Sequence, residues 1–406
     1  MIDISLLKEQ PEVVKKALAS RGVSLDFNKL LELDAKKRKQ LKLVEELRAK
    51  RNRISSAGKP DDIEQAKELK NNLKREEERL AALKKEFNEL FVLIPNIPFD
   101  DVPIGLEGEV VRKEGRPKDF NFEPKDHLEL AELHNLIDVQ RAAKVSGSRF
   151  GILKNEGALL EIALINFCLD NILKEGFTFV IPPTLLREEM MQKMGYIDTK
   201  EDLAERYFFE KDKLFLAGTA EQMIGPMHAD EVIEVPKRYL AFSSCFREEA
   251  GSYGKDTRGI FRVHQFDKLE MFSFVEPKDS EKEHQFLISL QEKLMKKLKL
   301  PYQVVHLGSQ DIARPSASTF DIETWIPSQN KYRETHSASN CTDFQARRLN
   351  IRFRKDNQLE FVHTLNATAV AMGRMIIAIL ENNQDSRGKI RIPRALQKYL
   401  NFKTII

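Results

Sequence analysis

Phe246-Arg247-Glu248-Glu249-Ala250-Gly251-Ser252-Tyr253-Gly254-Lys255-Asp256-Thr257-Arg258-Gly259-Ile260-Phe261-Arg262-Val263-His264-Gln265-Phe266-Asp267-Lys268-Leu269-Glu270-Met271 is the stretch around which the chain is organised. A short run of aromatic, aliphatic and small residues, Tyr239 to Phe246, leads into it, and Arg262 to Phe272 alternates as a strand does. Between them lie three glycines and a mixture of Lys, Arg, Asp and Glu too polar to bury unpaired. Two antiparallel strands joined by a long polar loop are therefore expected. At a period of two, Arg262, His264, Phe266, Lys268 and Glu270 share one face, while Val263, Gln265, Asp267, Leu269 and Met271 share the other. A face with a ring, cations and a carboxylate makes a poor core but a good floor for a flat, anionic ligand such as a nucleotide. Phe266 offers a base a stacking surface, Arg247 a bidentate fork for a phosphate, and Glu249 an acceptor for an exocyclic amine. Taken alone, a short charged hairpin reads more simply as a solvated surface.

The same residues carry a resemblance. Phe246-Arg247-Glu248-Glu249, the loop, and Arg262-Val263-His264-Gln265-Phe266 resemble motif 2 of the class II aminoacyl-tRNA synthetases. The wording Gly254-Lys255-Asp256-Thr257-Arg258-Gly259 and Asp267-Lys268-Leu269-Glu270-Met271 is similar to that of the seryl-tRNA synthetases. The fold this implies is α+β: an antiparallel sheet flanked by helices, with an N-terminal antiparallel coiled-coil arm.

At 406 residues the chain is long enough for two domains, and 66 Lys plus Arg against 63 Asp plus Glu puts any basic surface under local control. No apolar h-region follows Asp3, Lys8 and Glu9, and no uncharged run is long enough to span a bilayer, so a cytoplasmic protein without membrane contact is expected. Cys168, Cys245 and Cys341 stand far apart and form no CxxC pair, which points to a reducing compartment and to no disulfide framework.

The N-terminal region reads as a helical hairpin over about 30–90. Apolar residues recur at Leu30, Leu33, Val44, Leu47 and Ile54, with Lys37, Gln40 and Arg51 at the other seam positions. After a break at Ser55-Ser56-Ala57-Gly58-Lys59-Pro60, the pattern resumes at Ala66, Leu69, Leu73, Leu80, Leu83, Phe87 and Leu90, interrupted by Glu76. Each helix is expected to run roughly 35–40 Å at about 1.5 Å per residue. Lys36, Lys37, Arg38, Lys39, Lys42, Arg48, Lys50, Arg51 and Arg53 make the first helix strongly basic, which suits either a solvated face or sequence-independent contact with nucleic-acid phosphates. The resemblance implies the second, since seryl-tRNA synthetases grip tRNA with such an arm. Prolines at 95, 98 and 103 end the arm, so an N-terminal domain is placed at 1–103 and a catalytic domain at 104–406.

Beyond that boundary, Gly105 to Lys118 reads as a charged loop. A buried helix from about Ala158 to Lys174 and a strand ending at Pro182-Pro183 resemble motif 1 (about 158–183), which implies a homodimer. Motif 2 spans about 239–272. Thr364 to Gln384 reads as a motif 3 helix with Arg374 as the one charge in a long apolar run, needing an anionic partner that is either Glu381 or a nucleotide phosphate. Thr219-Ala220-Glu221 resembles the family's serine-contacting Thr-x-Glu element; a buried carboxylate there answers the ammonium of an amino acid. Ser339-Asn340-Cys341-Thr342-Asp343-Phe344-Gln345-Ala346-Arg347-Arg348 is also family-like, and departures fall at Gln310, Ala313, Ser318, His336 and Ala338. A GxxxxGK loop, GxGxxG, HExxH and an ordered Cys/His ligand set are all missing from the sequence.

The activity implied is that of a serine–tRNA ligase using ATP and Mg2+, with no zinc. Arg247 and Arg374 are the expected catalytic residues. Thr219, Ala220, Glu221, Arg247, Glu270 and Thr368 are the serine contacts. ATP falls to Arg247, Glu248, Glu249, Val263, Phe266, Glu334, Thr335, His336, Ser337 and Arg374, with Glu334 and Ser337 holding its magnesium. Expected partners are L-serine, tRNA(Ser) and a second copy of the chain, tRNA(Sec) being a further substrate to consider. A paralogue that charges a carrier protein or regulates without catalysis, and a coiled-coil interaction protein, are the competing readings.

Overall fold

The computed structural model describes residues 1–57, 63–250 and 258–406. The expected Gly58-Lys59-Pro60 turn, the side chain of Ala66 and the Gly251–Thr257 part of the motif 2 loop lie outside what is described. The chain divides into two compact units, Met1–Pro95 and Asn96–Ile406, so the division comes before the expected boundary at Pro103. The reason is local. Asn96 donates to the carbonyls of Pro315 and Cys341, each at 2.8 Å, and the Phe99 N–H donates to Ala317 at 3.0 Å, which ties the proline-rich segment into the second unit.

In the first unit, α1 (Phe27–Ala57) and α2 (Ile63–Phe91) lie against one another. Spans of 31 and 29 residues make each about 45 Å long, more than expected. Leu30, Leu33 and Val44 on α1 and Leu69, Leu73, Leu80 and Phe87 on α2 are buried, as the seam pattern requires. Two of the polar interruptions pair with each other: Gln40 donates to the Glu76 carboxylate at 2.8 Å and to its carbonyl at 3.0 Å. A lone buried polar pair of this kind fixes the register of a coiled coil. Lys37 is not an outward cation; its ammonium sits 3.3 Å from the centroid of Phe87 and 3.1 Å from buried Asp34. Arg38 also pairs with Asp34, Lys36 with Glu32 and Arg48 with Glu77, while Lys39, Lys42, Lys50 and Arg51 are exposed.

The second unit is built on an eight-stranded sheet. Its strands are β1 (Glu109–Glu114), β2 (Thr178–Val180), β3 (Lys237–Phe246), β4 (Gln265–Val275), β5 (Tyr302–His306), β6 (Ser318–Ile326), β7 (Lys331–Asn340) and β8 (His363–Ala371). They lie in the order β1-β5-β6-β7-β8-β4-β3-β2, antiparallel throughout except where β2 joins β3 in parallel. Helices α3 (Asn155–Ile172), α4 (Ser280–Leu298) and α5 (Met372–Asn382) share one apolar core with Leu269, Met271, Leu365 and Ala367, covering one face of the sheet. Phe272 and Phe274 enter a smaller cluster on the other face with Phe215, Met191 and Leu349.

Three local expectations change. Residues 109–114 are not loop: they form the edge strand β1, every residue of it on the surface, because β5 offers a free ladder to pair with. Residues 364–371 are not helix. They are strand β8, paired with β7 and β4 on either side, and the motif 3 helix begins only at Met372. Thr364, Leu365, Ala367 and Thr368 are all buried, and such a run of apolar and hydroxyl residues does not separate helix from central strand by period alone. The returning strand of motif 2 starts at Gln265 rather than Arg262. Arg262 and His264 are thus loop residues, whereas Phe266, Lys268 and Glu270 do share a strand face.

Candidate active site

The face of β4 opposite the helices carries Phe266, Lys268 and Glu270 into a cleft of about 490 Å³. Glu270 lies opposite Thr368 on β8 and Ala241 on β3; Lys268 lies opposite Ala371 and Ser243. Small cross-strand neighbours leave this floor open while holding the carboxylate beside a hydroxyl. Both charged groups are deeply buried, Lys268 at 6 % and Glu270 at 2 % exposure. They form an ion pair, and the Lys268 ammonium also donates to Thr219 Oγ1 at 2.8 Å.

Thr219 ends a bend after the strand Leu214–Leu216, and Glu221 opens a single helical turn. Glu221 does not cap that turn. Its carboxylate accepts from Tyr196 Oη at 2.7 Å and from Gln345 Nε2 at 2.8 Å. Gln345 is held in turn by Thr364 Oγ1 at 2.7 Å. Burial pushes the Glu221 carboxyl above its ordinary range, and the two donors oppose that shift. Ala220 is buried and does not line the cleft, contrary to its place among the serine contacts.

Arg247 follows β3 directly. Its Nε donates to the Gly218 carbonyl at 3.2 Å and its guanidinium lies 5.3 Å from the Phe266 ring centroid. Glu249, expected to read a base, lines the cleft and pairs there with Arg262. Val263 lines the cleft but Glu248 does not; the Glu248 N–H donates to Glu205 at 3.3 Å.

Arg374 sits in the first turn of α5 with Phe261 beneath it, the guanidinium 5.0 Å from that ring. The preceding Gly373 is sterically required: a Cβ there would lie 2.8 Å from the Ile260 carbonyl. Its anionic partner within the chain is not Glu381. Arg374 binds Glu334 Oε1 at 2.8 Å and the Glu334 carbonyl at 3.1 Å. Glu381 answers different donors, the N–H groups of His127 at 3.0 Å and Ser328 at 3.1 Å.

Glu334 and Ser337 are three apart on β7, so a regular strand would send them to opposite faces. A bulge prevents this: Ile322 pairs with His336 and Glu323 with Glu334, leaving Thr335 as the extra residue. Both side chains therefore line the cleft. Recess in the cleft would raise the Glu334 carboxyl, but Arg374 and Arg247 hold it below its ordinary range. Asp321, directly across from Ser337, is buried with an unpartnered Oδ1, and burial with the nearby Glu334 charge pushes it well up. A carboxylate, a hydroxyl and this orphaned oxygen form an all-oxygen donor set, which fits a hard divalent cation. Thr335 faces the cleft only marginally, its hydroxyl being bonded to Thr324 and the Ile322 carbonyl. His336 does not line the cleft at all. It is 2 % exposed, its Nδ1 lies 2.9 Å from Thr335 Oγ1, and burial lowers it to about 4.

Tyr196, Gln345, Asp321 and Arg206 escaped the sequence reading. Arg206 lines the cleft with its guanidinium 5.6 Å from the Tyr196 ring, and burial together with Arg247 lowers its pKa. Gln345 stands in the family-like stretch Ser339 to Arg348 but was given no role there, and no local pattern marks the other three. Lys268 was placed on the correct face without a role, although its buried strand position was the available signal.

Comparison with known proteins bears on the whole chain. The family described as tRNA synthetase class II core domain (G, H, P, S and T) matches residues 207–383, and the seryl-tRNA synthetase N-terminal domain matches residues 1–98. A serine–tRNA ligase of Dictyoglomus turgidum is 43% identical over 100% of this chain and 99% of its own length. A seryl-tRNA synthetase of Pyrococcus horikoshii, solved with ATP, superposes with a TM-score of 0.92 at 40% identity, covering 100% of this chain and 99% of that one. A cytoplasmic serine–tRNA ligase of Naegleria fowleri, solved with AMP, gives a TM-score of 0.87 at 29% identity over 100% and 98%.

Proposed function

The chain belongs to the seryl-tRNA synthetases, and from that membership as a serine–tRNA ligase we propose which of its residues carry each step of the reaction. L-Serine enters the closed end of the cleft, its ammonium meeting Glu221 and Thr219. Its hydroxyl donates to Glu270 beside Thr368. The adenine of ATP stacks at Phe266, the α-phosphate lies at Arg247 and the γ-phosphate at Arg374.

Little proton transfer is needed, because the serine carboxylate is already an ionised nucleophile. One of its oxygens forms a bond to the α-phosphorus while the bond to pyrophosphate breaks. Arg247 and Arg374 neutralise charge that shifts onto the phosphate oxygens, pre-aligned in a cleft partly shielded from water. Glu334 and Ser337 would hold a magnesium ion brought with ATP, which supplies further charge neutralisation on the phosphates. Arg374 pairs with Glu334, and binding of the γ-phosphate exchanges that contact for phosphate. A ribose hydroxyl at the 3′ end of tRNA(Ser) then bonds to the seryl carbonyl carbon as the bond to the phosphate breaks and AMP leaves. Exposed Lys39, Lys42, Lys50 and Arg51 on α1 are the cations offered to tRNA phosphates. Exposed Leu159 and Ile162 on α3 and Ile181 after β2 suit a homodimer contact through the motif 1 region, in a cytoplasmic enzyme.

The observation that carries the reading is the pairing of Glu270 with Thr368 across β4 and β8 in a cleft that Arg247 and Arg374 also line. Amino-acid-dependent ATP–pyrophosphate exchange without tRNA tests it, with serine, threonine, alanine and glycine compared. Exchange with serine should far exceed exchange with the other three. Exchange with none of the four would remove the catalytic assignment and favour a regulatory paralogue.

A further inference from the structure

Lys268 is a cation buried beside the amino-acid end of the cleft for which the steps above leave no task. Its ammonium occupies two acceptors at once, the Glu270 carboxylate and Thr219 Oγ1. Both are acceptors that serine's donors require. The Glu270 Oε2 has no hydrogen-bond partner in good geometry, and its ion-pair contact is to Lys268. The Lys268 ammonium therefore stands where the substrate's donors must bind.

Position along the strand says where that ammonium goes when it leaves. Phe266, Lys268 and Glu270 alternate along one face of β4, spaced by about 6–7 Å per two residues. On the serine-adenylating reading, Phe266 marks the adenine end and Glu270 the serine hydroxyl. Lys268 then stands between them, where the serine carboxylate meets the α-phosphate. Its cross-strand neighbour Ala371 leads directly into Gly373 and Arg374 at the phosphate end.

We propose that Lys268 couples recognition of the serine hydroxyl to the chemical step, because only a substrate bringing both an ammonium and a hydroxyl releases it from Thr219 and Glu270 to face the reacting carboxylate and α-phosphate. A zwitterion permits this exchange because it brings no net charge of its own: its ammonium lies against Glu221 and Glu270, and its carboxylate receives Lys268. When the carboxylate oxygen bonds to phosphorus and pyrophosphate departs, the ammonium is left beside the charged phosphodiester of the adenylate. Alanine brings the ammonium but no second donor. It leaves Lys268 on Glu270, away from the junction, and so loses rate as well as binding.

This inference rests on the serine-adenylating reading, and its test is exchange kinetics of the wild-type chain, K268M and K268R with serine and with alanine, alongside thermal melts. K268M should lower kcat for serine about 100-fold, the scale of removing one pre-organised charge donor. Its kcat for alanine should stay within about threefold, and its serine KM should remain level or fall. K268R should recover part of the serine rate. Equal loss with both amino acids, a serine kcat like that of wild type, or an effect confined to KM would overturn the proposal. Should K268M not fold, K268R carries the test, and a serine rate reduced no more than the alanine rate counts against it. Absence of serine-dependent exchange in the wild type would instead strike the parent reading; a crystal soaked with L-serine then decides for Lys268, which must leave Glu270 on binding.

Discussion

Glu270→Gln isolates the charge at the centre of the pocket. The substitution keeps the volume of a side chain that is 2 % exposed, so it opens no cavity, and it removes the carboxylate that pairs with Lys268. Breaking a buried ion pair by neutralising one partner costs about 3–5 kcal/mol. Lys268 keeps its bond to Thr219 Oγ1 at 2.8 Å, which places the loss of stability near the lower end, about 3 kcal/mol. For function, a hydrogen bond to a charged acceptor contributes about 1.5–3 kcal/mol, so the preference for serine over alanine should narrow about 10- to 150-fold in kcat/KM. Pyrophosphate exchange with both amino acids measures the second quantity, and urea unfolding followed by circular dichroism measures the first. A Glu270→Gln enzyme with the full wild-type preference would mean that the hydroxyl is read elsewhere, and the arrangement opposite Thr368 would lose its meaning.

Three further outcomes follow from the same geometry. Glu334→Gln removes a carboxylate from the oxygen set and unties Arg374, so the magnesium concentration for half-maximal exchange should rise about tenfold; an unchanged midpoint would exclude Glu334 from holding the ion. Burial pushes the Glu221 carboxyl up and so favours its proton, while the serine ammonium demands the ionised form. Serine affinity should therefore weaken as pH falls through that raised value, with proton release on binding seen as a buffer-dependent calorimetric heat; an affinity that stays flat from neutral pH down into the ordinary carboxyl range would contradict this. Arg238→Met leaves Glu283, 5 % exposed, with Ser273 at 2.8 Å but without its guanidinium fork, and should cost about 3 kcal/mol in chemical unfolding; a change below about 0.5 kcal/mol would class the pair with surface contacts.

Short-range pattern carried a large part of this protein in its sequence. The heptad seam predicted the long helices of the N-terminal unit, because coiled-coil packing repeats every few residues and leaves its period in the chain. Alternation along Gln265–Val275 placed Phe266, Lys268 and Glu270 on one side and Leu269 and Met271 in the core, because a strand presents its faces in strict turn. The run of family-like motifs named the activity, since the chemistry depends on a few side chains at fixed local spacing.

Tertiary structure decided what pairing across distance controls. Whether residues 363–371 were strand or helix depended on β4 and β7 lying beside them, and the buried run itself contains no such information. Glu334 and Ser337 share a face only because Thr335 bulges against β6, a feature of register between two strands. The same holds on β8, where Ala369 is the extra residue between Thr368 and Val370 and resets which side chains meet the cleft. Ion pairing likewise belongs to the folded chain: Lys37 is held by Phe87 and Asp34, Glu249 by Arg262, Arg374 by Glu334 and Lys268 by Glu270 and Thr219. A charge in a sequence can find many partners, and burial selects among them because an unpaired ion is too costly to leave inside.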